Sequence, residues 1–221
     1  MKKLLVALGF ALAATGASAN IVSGGLTVTG NTPTAIVLSP GDDGWGGNGS
    51  TLQPAGLYTA GNTGTLIANQ DGFFVATYLG QVAAFSNDYV SGLGLVLNGV
   101  NTGGAVGASA GQGVTAGNIV NFSFQEQANF APFATSTFTN GQANTPVQGM
   151  LFLDAAAWNS LYGTAFDFLI GYNDSANVNS DYDDYVVGVV NHVPVPAALP
   201  LMASALGMFG ISRRKSKAKA V

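Results

Sequence analysis

The sequence predicts an all-β fold, a single β-sandwich of the jelly-roll kind that carries one short helix. Short apolar or alternating runs recur between Asn20 and His192, and Gly, Asn, Pro or Asp bounds each run, as at strands and turns. The chain contains 31 glycines, which suits many tight turns between short strands. Because 48% of the residues are hydrophobic and only 8% are charged, the chain can bury a sizeable core.

Ten strands are predicted from the apolar runs. They cover residues 26–29, 34–38, 65–68, 73–79, 93–97, 119–125, 133–139, 150–153, 165–172 and 185–190. The clearest period-two alternations are Phe-Ser-Phe at 122–124 and Phe-Asp-Phe at 166–168, which are typical of half-buried strands. Many short strands joined by Gly-rich turns indicate a β-sandwich of the jelly-roll kind.

One helix and two loops complete the predicted domain. The helix runs from Asp154 to Tyr162, because Asp154 can cap its first turn and the alanines that follow favour helix. The Gly-rich stretches 41–50 and 103–117 are predicted to be mobile loops.

The first nineteen residues have the three parts of a secretory signal peptide. Lys2 and Lys3 supply the charge, Leu4–Ala14 is apolar, and Ala17-Ser18-Ala19 offers small residues for cleavage. The apolar part is too short to cross a hydrocarbon core of about 30 Å. We therefore expect signal peptidase to remove residues 1–19 and to leave an exported domain over residues 20–192.

Residues 193–221 form a second segment with three parts. A Pro-containing motif is followed by an apolar segment, 197–212, and a basic tail, 213–221. The motif residues are Val193, Pro194, Val195, Pro196 and Ala197, and the tail opens with Arg213, Arg214 and Lys215. As a helix, Ala197–Ile211 would be about 22 Å long, short of the membrane core, and the tail would stay in the cytoplasm. The sequence predicts a weak membrane anchor here, which is either cut at the motif or kept.

Charge is distributed unevenly along the chain. All eleven acidic residues lie between Asp42 and Asp184, and all seven basic residues lie in the terminal segments. Residues 20–212 therefore contain no Lys or Arg, and their formal charge is 0 − 11 = −11. Nucleic acid is excluded as an expected partner, because phosphate neutralisation needs Lys and Arg. Carboxylates that cluster in space must be balanced by metal ions, by backbone N–H groups or by water instead.

No catalytic site is predicted. The exported domain has one histidine, His192, one glutamate, Glu126, and no cysteine. A Ser-His-Asp triad would depend on His192 at the edge of the tail, and a zinc site lacks its usual ligands. An Asp pair for glycoside hydrolysis stays open as an alternative, although no spacing singles one out.

The most informative stretch is YNDSANVNSDYDDYVVGV, residues 172–189. It places oxygen ligands in a turn between two predicted strands, and the candidate ligands are Asn173, Asp174, Asp181, Asp183 and Asp184. Six to eight oxygens from carboxylates, amides and carbonyls are the coordination that Ca²⁺ takes, so we expect Ca²⁺ here. Alternatively, the stretch is a solvated turn, or Asp181 and Asp183 alternate on one face of an extended strand. It lacks the glycine and glutamate of an EF-hand loop.

Two resemblances add to this reading. The segment 193–221 resembles the PEP-CTERM class of bacterial sorting signals, in the variant with VPxPA at the motif. That resemblance implies recognition by an exosortase-type membrane enzyme, in Gram-negative cells that make exopolysaccharide or biofilm. The stretch that ends in Asp181, Asp183 and Asp184 is similar to a D-x-D-[ND]-hydrophobic pattern of exported β-domains, for which Ca²⁺ binding is suspected.

The expected function is that of an exported cell-surface or matrix protein, structural or adhesive, associated with exopolysaccharide and organised by Ca²⁺. The alternative is a carbohydrate-active hydrolase that uses an Asp pair. A carboxylate pair facing a cleft would favour the hydrolase, and a cluster of Asp oxygens at a loop would favour the binding protein.

Overall fold

The computed structural model contains twelve strands and one helix with all its residues described. The residues that it describes are 21–36, 58, 60–81, 83, 86–99, 103–127, 136–174, 181–194, 202, 204, 206 and 208. The elements are β1 (Ile21–Ser23), β2 (Leu26–Ala35), β3 (Ala60–Ala68), β4 (Gly72–Gly80), β5 (Ser86–Ser91), β6 (Val96–Asn98), β7 (Ser109–Val114), β8 (Phe122–Gln127), β9 (Ser136–Thr139), β10 (Gly149–Asp154), α1 (Ala156–Tyr162), β11 (Phe168–Asn173) and β12 (Tyr185–His192).

The strands form two antiparallel sheets. The larger has eight strands in the order β1-β2-β3-β10-β11-β12-β4-β7, and the smaller has four in the order β6-β5-β8-β9. A single cluster of buried side chains, drawn from both sheets, fills the space between them. The prediction of an all-β sandwich with one short helix is confirmed at this level.

Aromatic rings dominate the core between the sheets. Phe124 of the small sheet stacks on Tyr172 of the large sheet, with ring centroids 4.8 Å apart and planes inclined by 11°. Phe122 and Phe124 are both buried, as the alternation at 122–124 predicts. The half-buried strand predicted from the alternation at 166–168 is wrong. Phe168 enters this core, whereas Phe166 precedes β11 and packs on the outer face of the large sheet.

The helix covers part of that outer face. Trp158 of α1 packs with Leu153, Leu169 and Val186 of the large sheet in a second buried cluster. The α-helix begins at Ala156 rather than at Asp154. Asp154 still satisfies one terminal donor, because its Oδ1 accepts a hydrogen bond from the N–H of Ala156 at 2.8 Å.

Asn140, in the turn after β9, joins the two sheets at one end. Its Nδ2 donates to the carbonyls of Leu66 in β3, at 2.9 Å, and Val120, at 2.8 Å. Its Oδ1 accepts from the N–H of Leu66 at 3.0 Å. The side chain is buried, and its three hydrogen bonds satisfy backbone groups of Leu66 and Val120 at the place where β3 lies beside the segment that leads into β8.

Three strands were not predicted, and one predicted loop is wrong. β1 and β5 have no counterpart among the predicted strands, and β7 occupies part of the stretch 103–117 that was expected to be a loop. β2 continues through the predicted break between residues 29 and 34. The pairing with β3 shifts register between Thr29 and Thr32, where Gly30 has a φ of 64°.

Several predictions concern residues outside the described part of the chain. These are the signal peptide over 1–19, the loop at 41–50, most of the apolar segment, the tail, and the residues Val195, Pro196, Ala197, Arg213, Arg214 and Lys215. Val193 and Pro194 follow β12 directly, and the described residues between 202 and 208 are helical. Within the described ranges, no helix has the length and apolar character needed to span a bilayer.

Candidate metal centre

The predicted acidic residues lie where two neighbouring strands of the large sheet end and begin. β11 ends at Asn173 and β12 begins at Tyr185, and Tyr172 is paired with Tyr185 in the antiparallel register. Residues 174–184 therefore form the connection between these strands. Asp174, Asp181, Asp183 and Asp184 are all buried, at 6% exposure or less, so the described part of this connection is not a solvated turn.

Three of the carboxylates converge. Asp181, Asp183 and Asp184 each offer an oxygen, and these oxygens lie within 4.8 Å of one another. An extended chain does not bring them together, because Tyr182 has a φ of 57°, in the left-handed region. The predicted alternation of Asp181 and Asp183 on one face of a strand is therefore wrong. The Tyr182 side chain is buried, and its hydroxyl accepts a hydrogen bond from Nδ2 of Asn144 at 3.4 Å.

The other two predicted residues adjoin this cluster. The backbone N–H of Asp174 donates to Oδ2 of Asp184 at 2.7 Å, which ties the end of β11 to the start of β12. Asn173, also buried, donates from Nδ2 to the carbonyl of Val147 at 3.1 Å. The structure thus brings Asp181, Asp183 and Asp184 together, joins Asp174 to them by a hydrogen bond, and directs the amide N–H of Asn173 towards Val147.

The electrostatics of the site disfavour charged carboxylates without a counter-ion. Burial raises the pKa of Asp184 well above its ordinary value, and the nearby Asp174 and Asp181 raise that pKa further. No lysine or arginine in residues 4–212 can balance these charges. The charge of the cluster must therefore be balanced by protons, by N–H donors such as that of Asp174, or by a bound cation.

The donor set is made of oxygens. Cysteine is absent from the chain, and His192 is exposed at the opposite end of β12 from Asp184. Carboxylate oxygens together with amide and backbone carbonyls suit a hard cation such as Ca²⁺ rather than Zn²⁺. The residues present therefore fit the predicted ion, and Asp181, Asp183 and Asp184 would hold it.

Asn87 was missed by sequence reasoning. It lies near the start of β5, in the small sheet, and is fully buried. Its Nδ2 donates to Oδ2 of Asp174 at 2.8 Å and to the carbonyl of Asp184 at 3.2 Å. Nothing in the local pattern SNDY marks this contact, because its partners lie 87 and 97 residues away along the chain.

Glu126 forms a separate buried network close by. Its Oε2 accepts from Oγ of Ser136 at 3.1 Å and from Nε2 of Gln148 at 3.3 Å. The same Gln148 amide lies 2.6 Å from the hydroxyl of Tyr172, whose pKa is raised mainly by burial and also by Glu126, Asp174 and Asp184. These contacts give Glu126 hydrogen-bonded partners within the core.

A surface cleft and the acidic cluster lie at different places among the described residues. A surface cleft of about 440 Å³ is lined by threonines, glycines and amides of β2, β3 and the 141–144 turn, and none of its described lining residues is acidic. The acidic cluster is buried at a strand connection instead. The cluster of Asp181, Asp183 and Asp184 could hold a metal ion.

Fold and site together define a class, an acidic β-sandwich with a buried carboxylate cluster at one strand connection. No family model, curated protein or solved structure matches the chain. A function must therefore be proposed from the residues themselves.

Proposed function

We propose that this protein is exported and sorted to the cell surface or the extracellular matrix. There its sandwich is a structural or adhesive module that binds Ca²⁺. The pair of terminal segments supports export and sorting, since an N-terminal signal peptide and a C-terminal motif, apolar segment and basic tail enclose one acidic domain. The apolar segment is a transient anchor, and an exosortase-type enzyme cuts near Val193–Ala197.

The observation that supports the Ca²⁺ site is the buried cluster of Asp181, Asp183 and Asp184 in a domain without Lys or Arg. A bound ion would neutralise the cluster and fix the connection between β11 and β12. Since every charged side chain of residues 20–212 is acidic, contact with an anionic exopolysaccharide also requires a bridging cation. Ca²⁺ in the matrix can serve both purposes.

The sorting proposal is tested on protein purified from its own host. Intact-mass measurement should give a chain that begins at Asn20 and lacks Arg213–Val221. Replacing Arg213, Arg214 and Lys215 with glutamine should impair retention and processing, because the positive end no longer holds the tail in the cytoplasm. A mature chain that starts at Met1 would contradict export by cleavage, and C-terminal peptides recovered from the cell surface would leave a permanent anchor instead.

The Ca²⁺ proposal is tested by thermal unfolding of the purified protein. Ca²⁺ at 100 times its dissociation constant should stabilise the fold by about 2.7 kcal/mol, and chelator should remove that gain. The double substitution Asp181→Ala and Asp183→Ala should abolish most of the gain. Asp71→Ala with Asp154→Ala is the matched control, because it removes two exposed carboxylates and should leave the Ca²⁺ effect intact. A melting temperature that neither millimolar Ca²⁺ nor chelator changes would refute the site.

A further inference from the structure

Asn87 connects the small sheet to the acidic cluster of the large sheet. The cluster lies between β11 and β12, whereas Asn87 belongs to β5 of the four-stranded sheet. Its two hydrogen bonds, to Oδ2 of Asp174 and to the carbonyl of Asp184, place its carboxamide against the cluster. One buried side chain therefore crosses the sandwich at this end.

The amide oxygen of Asn87 is in an unusual environment for a polar atom. It is buried, and among the described residues it has no hydrogen-bond partner. Exchanging the amide nitrogen and oxygen would set the oxygen against Oδ2 of Asp174 and the carbonyl of Asp184, so the two donated hydrogen bonds fix the orientation. A buried amide oxygen without a donor costs free energy unless another electrophile, such as a cation, approaches it.

We propose that Oδ1 of Asn87 is a ligand of the cation held by Asp181, Asp183 and Asp184, so that one ion joins the two sheets. The inference builds on the Ca²⁺ part of the proposed function and adds a fourth side chain from the opposite sheet. Neutral amide oxygens are ordinary Ca²⁺ ligands, and this one brings no further negative charge to a crowded acidic site. The ion then clamps the end of the sandwich opposite to the end that Asn140 joins by hydrogen bonds alone.

The first experiment measures Ca²⁺ affinity by calorimetric titration of chelator-treated, purified protein. Asn87→Ala should weaken binding roughly tenfold or more, because a ligand is lost. Asn140→Ala is the matched control, since Asn140 is also a buried asparagine between the sheets but all its amide contacts are to backbone groups remote from the cluster. It should lower the melting temperature and leave the dissociation constant within about twofold.

A second variant separates a ligand from a mere hydrogen-bond donor. Asn87→Asp keeps an oxygen at the position of Oδ1 but removes the N–H groups that hold Asp174. If Asn87 is a ligand, Asn87→Asp should bind Ca²⁺ more tightly than Asn87→Ala, because both lose the N–H groups and only the aspartate keeps an oxygen for the ion, although its new oxygen faces Asp174 and its metal-free form is less stable. If Asn87 acts only through its N–H groups, Asn87→Asp should lose affinity as Asn87→Ala does, and the inference is overturned.

Hydrogen exchange of the unaltered protein gives a readout that needs no variant to fold. Ca²⁺ should slow amide exchange in β5 as well as in β12, because the ion holds both sheets. Slowing confined to residues 181–192 would overturn the cross-sheet ligand while leaving the Asp cluster as the Ca²⁺ site. Absence of any Ca²⁺ binding would overturn both.

Discussion

At the scale of single residues, two buried tyrosines of the core differ in one hydrogen bond. The hydroxyl of Tyr185 donates to the carbonyl of Leu97 at 2.7 Å, whereas the buried hydroxyl of Tyr89 has no partner among the described residues. Both side chains are fully buried, and burial is the main reason that the pKa of each is raised. Comparing the two side chains therefore isolates the contribution of one hydroxyl hydrogen bond to the stability of the fold.

We expect the two Tyr→Phe substitutions to act in opposite directions. Tyr185→Phe should lower the free energy of unfolding by about 1 kcal/mol or more, because the carbonyl of Leu97 loses a donor in the core. Tyr89→Phe should leave that free energy unchanged or raise it by up to about 1 kcal/mol, because it removes a polar group that has no partner. Urea midpoints at constant m-value measure both. A large loss of stability in Tyr89→Phe would contradict the prediction.

The sequence was informative about the candidate site only where its residues are close along the chain. The density of aspartate in 172–189 singled out Asp181, Asp183 and Asp184, which the structure brings together. The turn at Tyr182 could not be foreseen, because a bulky residue rarely adopts a positive φ and no pattern marks it. Asn87 could not be foreseen either, since only the pairing of distant strands carries it to the cluster.

At the scale of elements, the hairpin of β1 and β2 depends on Gly24 for two reasons. Its φ of 56° belongs to the left-handed region, and Gly25 beside it has a φ of 72°, as in a two-residue hairpin turn. A Cβ atom at Gly24 would overlap the carboxylate of Asp167. That carboxylate accepts hydrogen bonds from the Ser23 hydroxyl and the Asn191 N–H, so it links the hairpin to the end of β12.

Gly24→Ala should therefore destabilise the protein more than Gly30→Ala. Gly30 also has a left-handed φ, 64°, but among the described residues other than its two chain neighbours no atom lies within 4 Å of the Cβ position. Gly30→Ala should cost only the backbone term, about 1–2 kcal/mol, whereas Gly24→Ala adds the displacement of Asp167. Thermal or urea unfolding of both variants gives the comparison. Equal losses would show that Asp167 moves aside without cost.

Physical features of β5 and β7 explain why the sequence did not predict them. β7 reads SAGQGV, and its small residues hide the alternation that marks a strand. Gly111 is small because the ring of Phe73 on β4 occupies the space where a Cβ would lie. β5 reads SNDYVS and buries polar side chains, which a hydrophobic pattern assigns to a loop. The long apolar strands β4, β10 and β12 were recovered because their own side chains supply the core.

At the scale of the whole molecule, the ionisation of tyrosine determines how the stability of the fold changes at high pH. Residues 20–212 contain no lysine, arginine or cysteine. Burial raises the pKa of Tyr58, Tyr89, Tyr172 and Tyr185 above the ordinary value of 10.0. In the unfolded chain these groups lose their protons near pH 10, before they do so in the folded protein. The stability they contribute is present below about pH 10 and falls as the pH rises beyond it.

We expect one cooperative alkaline transition. Tyrosinate absorbance from the buried rings should appear together with the loss of the far-ultraviolet β signal, above about pH 10. The two signals are followed in the same titration. Ionisation of the buried tyrosines with an unchanged β signal would contradict the prediction, since it would mean that their hydroxyls reach solvent in the folded state.

The absence of Lys and Arg from residues 4–212 also determines which proteases can cleave the chain. Trypsin-like enzymes cleave after Lys and Arg, and none lies between Lys3 and Arg213. Neither unfolding nor loss of a bound ion can create a cleavage site for them, so resistance is a property of the covalent chain. Amine-reactive cross-linkers likewise find no lysine side chain in residues 4–212. Trypsin-like proteases outside a cell would therefore leave such a domain uncut even after it has unfolded.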